Sequence, residues 1–294
     1  MIPNGTFWMA EVAIHQSLHG PGEPGGGFGS GPGDPFRTDL SSIRFVSLKC
    51  TIPPPTLLTP GAQPFSQRND SPMKIIAING SPRTLRSTTR TLANLVLEGA
   101  AAAGAETEMI DLCDLRITPC TACEGCTFNG VCVYDDDVPV LVERMKEADG
   151  IVFASPVYID NIPGQMKIFF DRLADAIHYQ VLFGKYGCSV ATTHTSGGDE
   201  IVAYQNHVLN YLAAVSVGGL SVATAGNADA VDAREADARA LGKRLADAIA
   251  NGFSDPKQEA EIAGNREFFK EIVIENQDLR TDEYKRWVQL GWIR

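Results

Sequence analysis

From Met73 onward the chain alternates two kinds of apolar pattern. Short apolar runs occur at Lys74 to Asn79, Gly150 to Ser155, Tyr186 to Thr193 and Leu220 to Ala225, and Glu106 to Asp111 reads as a further strand. Between them, apolar residues recur three and four positions apart, the spacing of one helix face. Leu92, Leu95, Val96 and Gly99 mark a helix over about 87–103, and Val138, Leu141, Val142 and Met145 a second. Met166, Phe169, Phe170 and Leu173 mark a third, starting near Pro163. A fourth runs from Ile201 to about Val215, and a fifth carries Leu241, Leu245 and Ile249, with Asn251-Gly252 as its C-cap.

Five strands alternating with helices predict an α/β fold with a parallel sheet. The strands read as unbroken apolar runs, as they do when helices cover both faces of a sheet. Right-handed crossovers then favour a doubly wound five-stranded sheet of order 2-1-3-4-5, which takes ligands at the carboxyl ends of its strands. This domain is expected over residues 73–252, with a cysteine-rich loop at 113–135. Residues 253–294 form a polar tail carrying Phe268, Phe269, Ile272, Val273, Tyr284, Trp287 and Trp292. Its apolar side chains are expected to pack on the domain or on a neighbouring subunit.

Residues 1–72 lack either periodicity. Twelve of the sixteen residues from Gly20 to Pro35 are Gly or Pro, a composition that cannot bury enough apolar surface to order itself. A disordered, dispensable extension is expected there.

Composition narrows the function. The 294 residues are 44% hydrophobic and carry a formal net charge of −11, a poor match for a nucleic-acid phosphate backbone. No run approaches the length of a membrane span, and the N-terminus lacks the basic and apolar regions of a secretory signal. The cytoplasm is the expected compartment, and thiols there stay reduced.

The loop after the first strand, Gly80 to Thr89, lacks both the dinucleotide fingerprint and the ATP-type P-loop. It places hydroxyls, backbone N–H groups, Arg83 and Arg86 at a helix N-terminus. Orphan amides and the helix dipole make such a place attractive to a monophosphate. The competing role for Ser87 is simply to cap the helix. A receiver domain would need acidic residues where Asn79-Gly80 and Ser155-Pro156 stand, so that alternative fails.

Four of the seven cysteines, Cys120, Cys123, Cys126 and Cys132, lie within thirteen residues. Structural zinc normally takes two Cys pairs separated by a dozen or more residues. Two overlapping C-x2-C steps and a fourth nearby thiol suit the corner irons of one [4Fe–4S] cubane better. Gly125 and Gly130 supply turns for such wrapping, and Asp135-Asp136-Asp137 is expected to start the next helix. Zinc, a vestigial site and surface thiols are the alternatives. Cys50, Cys113 and Cys188 read as incidental, with Cys188 in the core. His178 and His207 fall on helices without ligand spacing, and His194 reads as a loop cap.

The segment from Ser155 to Arg172, taken with Met73 to Arg83, resembles the NAD(P)H-dependent FMN reductase family of flavodoxin-like proteins. The resemblance spans about residues 73–225. It implies that Ser81, Arg83, Ser87 and Thr88 hold an FMN phosphate, and that Pro156, Val157, Tyr158 and Asn161 lie along the isoalloxazine ring. The loop from Thr193 to Gly198, including Ser196 and Gly197, is implied to close on the pyrimidine side. The cysteine segment resembles that of the iron-sulfur flavoprotein branch, in which a cluster exchanges electrons with FMN. What this implies is an oxidoreductase working with a carrier such as NAD(P)H or ferredoxin, assembled as a homodimer or homotetramer, with no acid–base catalytic residue. Two other readings remain: a cluster-free NAD(P)H:FMN or quinone reductase, and a thiol-based redox sensor.

Overall fold

A computed structural model describes residues 72–129 and 132–294. The expectation for residues 1–72 concerns residues almost wholly outside that range, as does the one for Cys50. The strands are β1 (Lys74–Asn79), β2 (Glu106–Asp111), β3 (Gly150–Pro156), β4 (Tyr186–Thr193) and β5 (Val215–Ala223). They form one sheet, order β2-β1-β3-β4-β5, and every pairing is parallel. The helices are α1 (Thr88–Ala102), α2 (Gly125–Asn129), α3 (Val138–Glu147), α4 (Gly164–Asp171), α5 (Ala174–His178), α6 (Gly198–Tyr211), α7 (Asp229–Asp232), α8 (Glu235–Asn251), α9 (Pro256–Glu275) and α10 (Thr281–Gln289). Among the described residues, no helix is long and apolar enough to cross a membrane.

The two sheet faces are two hydrophobic layers, because successive side chains of a strand point to opposite faces. Ile75, Ala77, Val152, Ala154 and Val190 pack with Leu92 and Val96 of α1 and Leu241 and Leu245 of α8. Ile76, Ile78, Ile151 and Phe153 pack with Leu141, Met166, Phe169 and Leu209 from the helices on the other side. Burial on both faces is why β1 and β3 read as unbroken apolar runs, whereas β2, at the sheet edge, is partly exposed and carries Glu106, Glu108 and Asp111. Each fully buried isoleucine contributes about 1.5–3 kcal/mol.

The fifth strand departs from expectation. It begins at Val215, five residues before Leu220, and α6 ends at Tyr211. Gly218-Gly219 lies inside the strand. The register shifts between Gly187 and Ser189 of β4, so that Val217 and Gly218 stand opposite Cys188 alone. Gly218 takes φ +108°, which lets the strand carry this bulge.

The C-terminal helices close over α5. Phe269, Val273, Trp287 and Ile293 form a small core of their own, with Ile177 of α5 packed against it. Arg286 Nε donates to the carbonyl of Tyr179 at 3.1 Å, and Glu283, which pairs with Arg280, is buried.

Candidate functional site

At the carboxyl ends of β1, β3, β4 and β5 lies a cavity of about 300 Å³. Its first wall is the loop between β1 and α1, whose start is fixed by side chains. Asn79 accepts the Ser81 N–H at 3.1 Å and donates to Asp111 at 2.7 Å. Arg90 holds the other Asp111 oxygen at 2.8 Å. Ser81, Arg83, Ser87 and Thr88 line the cavity together. Ser87 does cap α1, since its hydroxyl oxygen accepts the Arg90 N–H at 3.1 Å. A hydroxyl both accepts and donates, so this cap leaves the Ser87 proton available to an anion. Helix geometry leaves the Thr88 and Thr89 amides without an intrahelical acceptor.

The second wall is Pro156, Val157 and Tyr158. Beyond it the chain doubles back in a tight turn. Tyr158 and Asn161 exchange backbone hydrogen bonds of 2.8 and 3.1 Å around Ile159 and Asp160, both left-handed at φ +50° and +55°. A β-branched residue rarely adopts that conformation, and Ile159 is fully exposed at the turn's tip. Asn161 does not line the cavity; its carboxamide oxygen accepts the Ile162 N–H at 2.8 Å.

Thr193 belongs to the third wall, whereas Ser196, Gly197 and Gly198 do not line the cavity. The Thr193 hydroxyl donates to the Ser196 carbonyl. Gly197, at φ +83°, packs near Val157 and so ties the third loop to the second. Thr89 and His194, both inside loops that the sequence marked out, line the cavity too, whereas sequence reasoning missed Thr192, Thr224 and Gly226. The Thr89 and Thr192 hydroxyls meet at 2.5 Å. The Thr224 hydroxyl donates to the Thr193 carbonyl at 3.1 Å, which brings in the loop after β5. A Thr and a Gly just past a strand's carboxyl end were the available signal.

The cysteine segment bounds a second cavity, of about 310 Å³. Cys120, Cys126 and Cys132 line it with Val138, Val142 and Val181, whereas Cys123 is exposed and lies outside the lining. Ala122 and Glu124 are left-handed at φ +51° and +59°. Left-handed residues at alternate positions build the N–H concavities that hold anions such as iron–sulfur centres. The Ala122 N–H donates to the Cys120 sulfur at 3.4 Å. Among the described residues, no three Cys, His, Asp or Glu side chains converge closely enough to hold a single metal ion. Zinc needs its sulfurs within about 2.3 Å of one centre. A cubane takes one thiolate on each of four irons, so its sulfurs stand further apart.

The loop is closed at its neck by residues that the sequence reading assigned to a helix start. Asp137 is the N-cap residue of α3 but makes no side-chain cap bond; its carboxylate accepts the Arg116 N–H at 2.6 Å. Asp136 accepts the Thr118 N–H at 2.9 Å and is paired with Arg172 at 2.7 Å, both side chains 1% exposed. Burial acts to raise the Asp136 pKa. The Arg172 fork and the Thr118 and Val138 amides outweigh it and hold the carboxyl at about 2.

Asp175 of α5 lines the same cavity, and burial, then the Glu283 carboxylate, push its pKa up to about 7 from 3.8. A folded-state pKa raised above the unfolded value gives stability that is full below about pH 4 and lost as pH rises through 7. Asp175→Asn is expected to flatten that slope. The measurement is the difference in Tm between pH 4.5 and 7.5, with a few kcal/mol at stake. Equal slopes in the two proteins would contradict it. Cys188, fully buried as expected, has its thiol pushed up to about 12 by burial. His207 lies 2.8 Å from Glu261, and His178 packs on Phe269.

The family model for NADPH-dependent FMN reductase matches residues 73–229. An iron-sulfur flavoprotein of Archaeoglobus fulgidus is 30% identical over 227 residues, covering 75% of this chain and 100% of its own. An iron-sulfur flavoprotein of Methanocaldococcus jannaschii is 36% identical over 190 residues, covering 60% of this chain and 97% of its own. Among solved structures, a flavone reductase shares the fold with a TM-score of 0.51 at 21% identity, covering 61% of this chain and 64% of its own. With the parallel order β2-β1-β3-β4-β5 and a polar cavity at its carboxyl edge, these matches agree on one assignment: the chain belongs to the NADPH-dependent FMN reductase family, in its iron-sulfur flavoprotein branch, and is an FMN-dependent oxidoreductase.

Proposed function

We propose that the protein passes electrons between a [4Fe–4S] cluster on Cys120, Cys123, Cys126 and Cys132, an FMN at the strand edge, and a carrier such as NAD(P)H or ferredoxin. Bound FMN exchanges two electrons and releases them singly, whereas a cubane takes one at a time, so the pair would convert between the two. Ser81, Arg83, Ser87 and Thr88 would hold the phosphate at the α1 N-terminus. Pro156, Val157 and Tyr158 would flank the ring, with Thr193 at its far edge. Asn161, Ser196, Gly197 and Gly198 would shape these walls.

The observation that carries the cluster reading is the cavity shared by three thiols, together with the N–H···S bond from Ala122 to Cys120. A second reading, a cluster-free NAD(P)H:FMN or quinone reductase, draws on Cys123 lying outside that cavity. Anaerobic purification with iron, sulfide and flavin quantitation separates the two. About four irons and four sulfides per chain support the first. Iron-free yellow protein that oxidises NAD(P)H rapidly supports the second.

The phosphate assignment has its own test. Thr88→Ala and Ser87→Ala remove donors to a charged group, each worth about 1.5–3 kcal/mol. FMN affinity is expected to fall at least tenfold in each variant, and riboflavin affinity to stay within a factor of two. Ser87→Ala also removes a cap, at about 0.5–2 kcal/mol of stability, so Thr88→Ala is the cleaner variant. Equal losses for both flavins in a titration would place the phosphate elsewhere.

A further inference from the structure

Arg172 is the C-cap residue of α4, 36 residues from Asp136 in sequence and 54 from Thr118. Its Nη1 donates to the Thr118 carbonyl and to Asp136 Oδ2, both at 2.7 Å, and its Nη2 to Asp136 Oδ1 at 3.1 Å. The guanidinium carbon sits 5.1 Å from the centre of the Tyr134 ring. Thr118 precedes the first clustered cysteine by two residues, and Asp136 follows the last by four. One side chain from a distant helix thus pins both ends of the cysteine loop.

The pinning uses only part of the guanidinium. An arginine has five N–H donors, and here Nε is buried without any acceptor. Leaving a buried donor unsatisfied costs about 1–3 kcal/mol, and more for a charged group. Such a group calls for an absent partner. Asp136 already balances the charge, so the spare N–H is not explained by neutralisation. Arg172 lines the cavity that Cys120, Cys126 and Cys132 share with the Glu143 and Asp175 carboxylates, and of these groups it is the Cys132 sulfur that lies within hydrogen-bonding reach of its guanidinium.

We propose that Arg172 is a positioning residue for the cluster, donating its spare N–H to the Cys132 sulfur or to an adjacent cluster sulfide. This inference rests on the cluster reading above. Reduction adds negative charge to the cluster, and a donor on sulfur stabilises that charge and raises the potential. Asp136 and Tyr134 hold the guanidinium in place while it does so.

The test is an anaerobic redox titration of the cluster, followed by visible absorbance and EPR, in three reconstituted proteins. The variants are Arg172→Lys, which keeps the charge opposite Asp136 but loses the fork, and the double variant Arg172→Met with Asp136→Leu. The second replaces the buried pair with apolar groups of similar volume, a change that is often neutral or stabilising. FMN content reports folding. The expected result is a cluster midpoint lowered in both variants, with the ratio of reduced to oxidised cluster about tenfold lower at the wild-type midpoint. For a one-electron couple that is about 59 mV. The FMN midpoints are expected to stay where they were. An intact cluster with an unmoved midpoint would overturn the inference and leave the cluster reading standing. Loss of the cluster from both variants would reduce Arg172 to a structural clamp and overturn the donation to sulfur. A wild-type protein that assembles no iron would overturn both readings.

Discussion

Asp136→Ala is expected to lower folding stability by roughly 3–5 kcal/mol, the cost of leaving one partner of a buried ion pair without the other. The mechanism is specific. Asp136 and Arg172 each keep a side chain 1% exposed, and the carboxylate also accepts the Thr118 and Val138 amides at 2.9 and 3.2 Å. Truncation therefore strands a buried cation and opens the neck of the cysteine loop together. Urea unfolding at pH 7 measures it, as a lower midpoint with an unchanged slope. The same pair gives the acid limb a sign. With the folded pKa near 2 against 3.8, its stabilisation is present above pH 4 and lost as pH falls through 2. A loss below 1 kcal/mol in the variant would mean that water or another cation takes over for Asp136.

Cys126→Ala is expected to abolish cluster absorbance altogether while the protein keeps its FMN. Of the four clustered thiols, Cys126 makes the sharper target, because it lines the cavity and is half-buried. Burial first, then the Asp175 carboxylate and the neighbouring Cys132 and Cys120 sulfurs, raise its pKa. Cys113→Ala is the control, since that thiol is exposed, outside the cavity, and lies 3.9 Å from Asp114. Iron and sulfide at wild-type levels in Cys126→Ala would remove Cys126 from the ligand set. Parallel loss in Cys123→Ala would show that the exposed thiol joins the others once iron is present.

Much of the site was legible one loop at a time. The β1–α1 loop announced itself by its hydroxyls and arginines, and the β3 loop by Pro156 and Tyr158. Each sits at a strand's carboxyl end, where this topology gathers ligands. What stayed hidden were residues whose role depends on a distant partner. Thr192 reads as an ordinary strand residue until the Thr89 hydroxyl stands 2.5 Å away. Thr224 gains its place only because β5 pairs with β4.

The amino-acid order by itself determined the number and order of the strands, though not where β5 begins. A strand covered on both faces must be apolar throughout, so local composition reports its burial, and parallel strands joined by helices admit few arrangements. Only the tertiary structure decided how the cysteine loop is held. Asp135-Asp136-Asp137 is locally a helix start, and nothing within a few residues says otherwise. Arg172 arrives from 36 positions away and turns Asp136 into half of a buried clamp. Periodicity records which face of an element is covered, whereas a single long-range ion pair leaves no repeat to read.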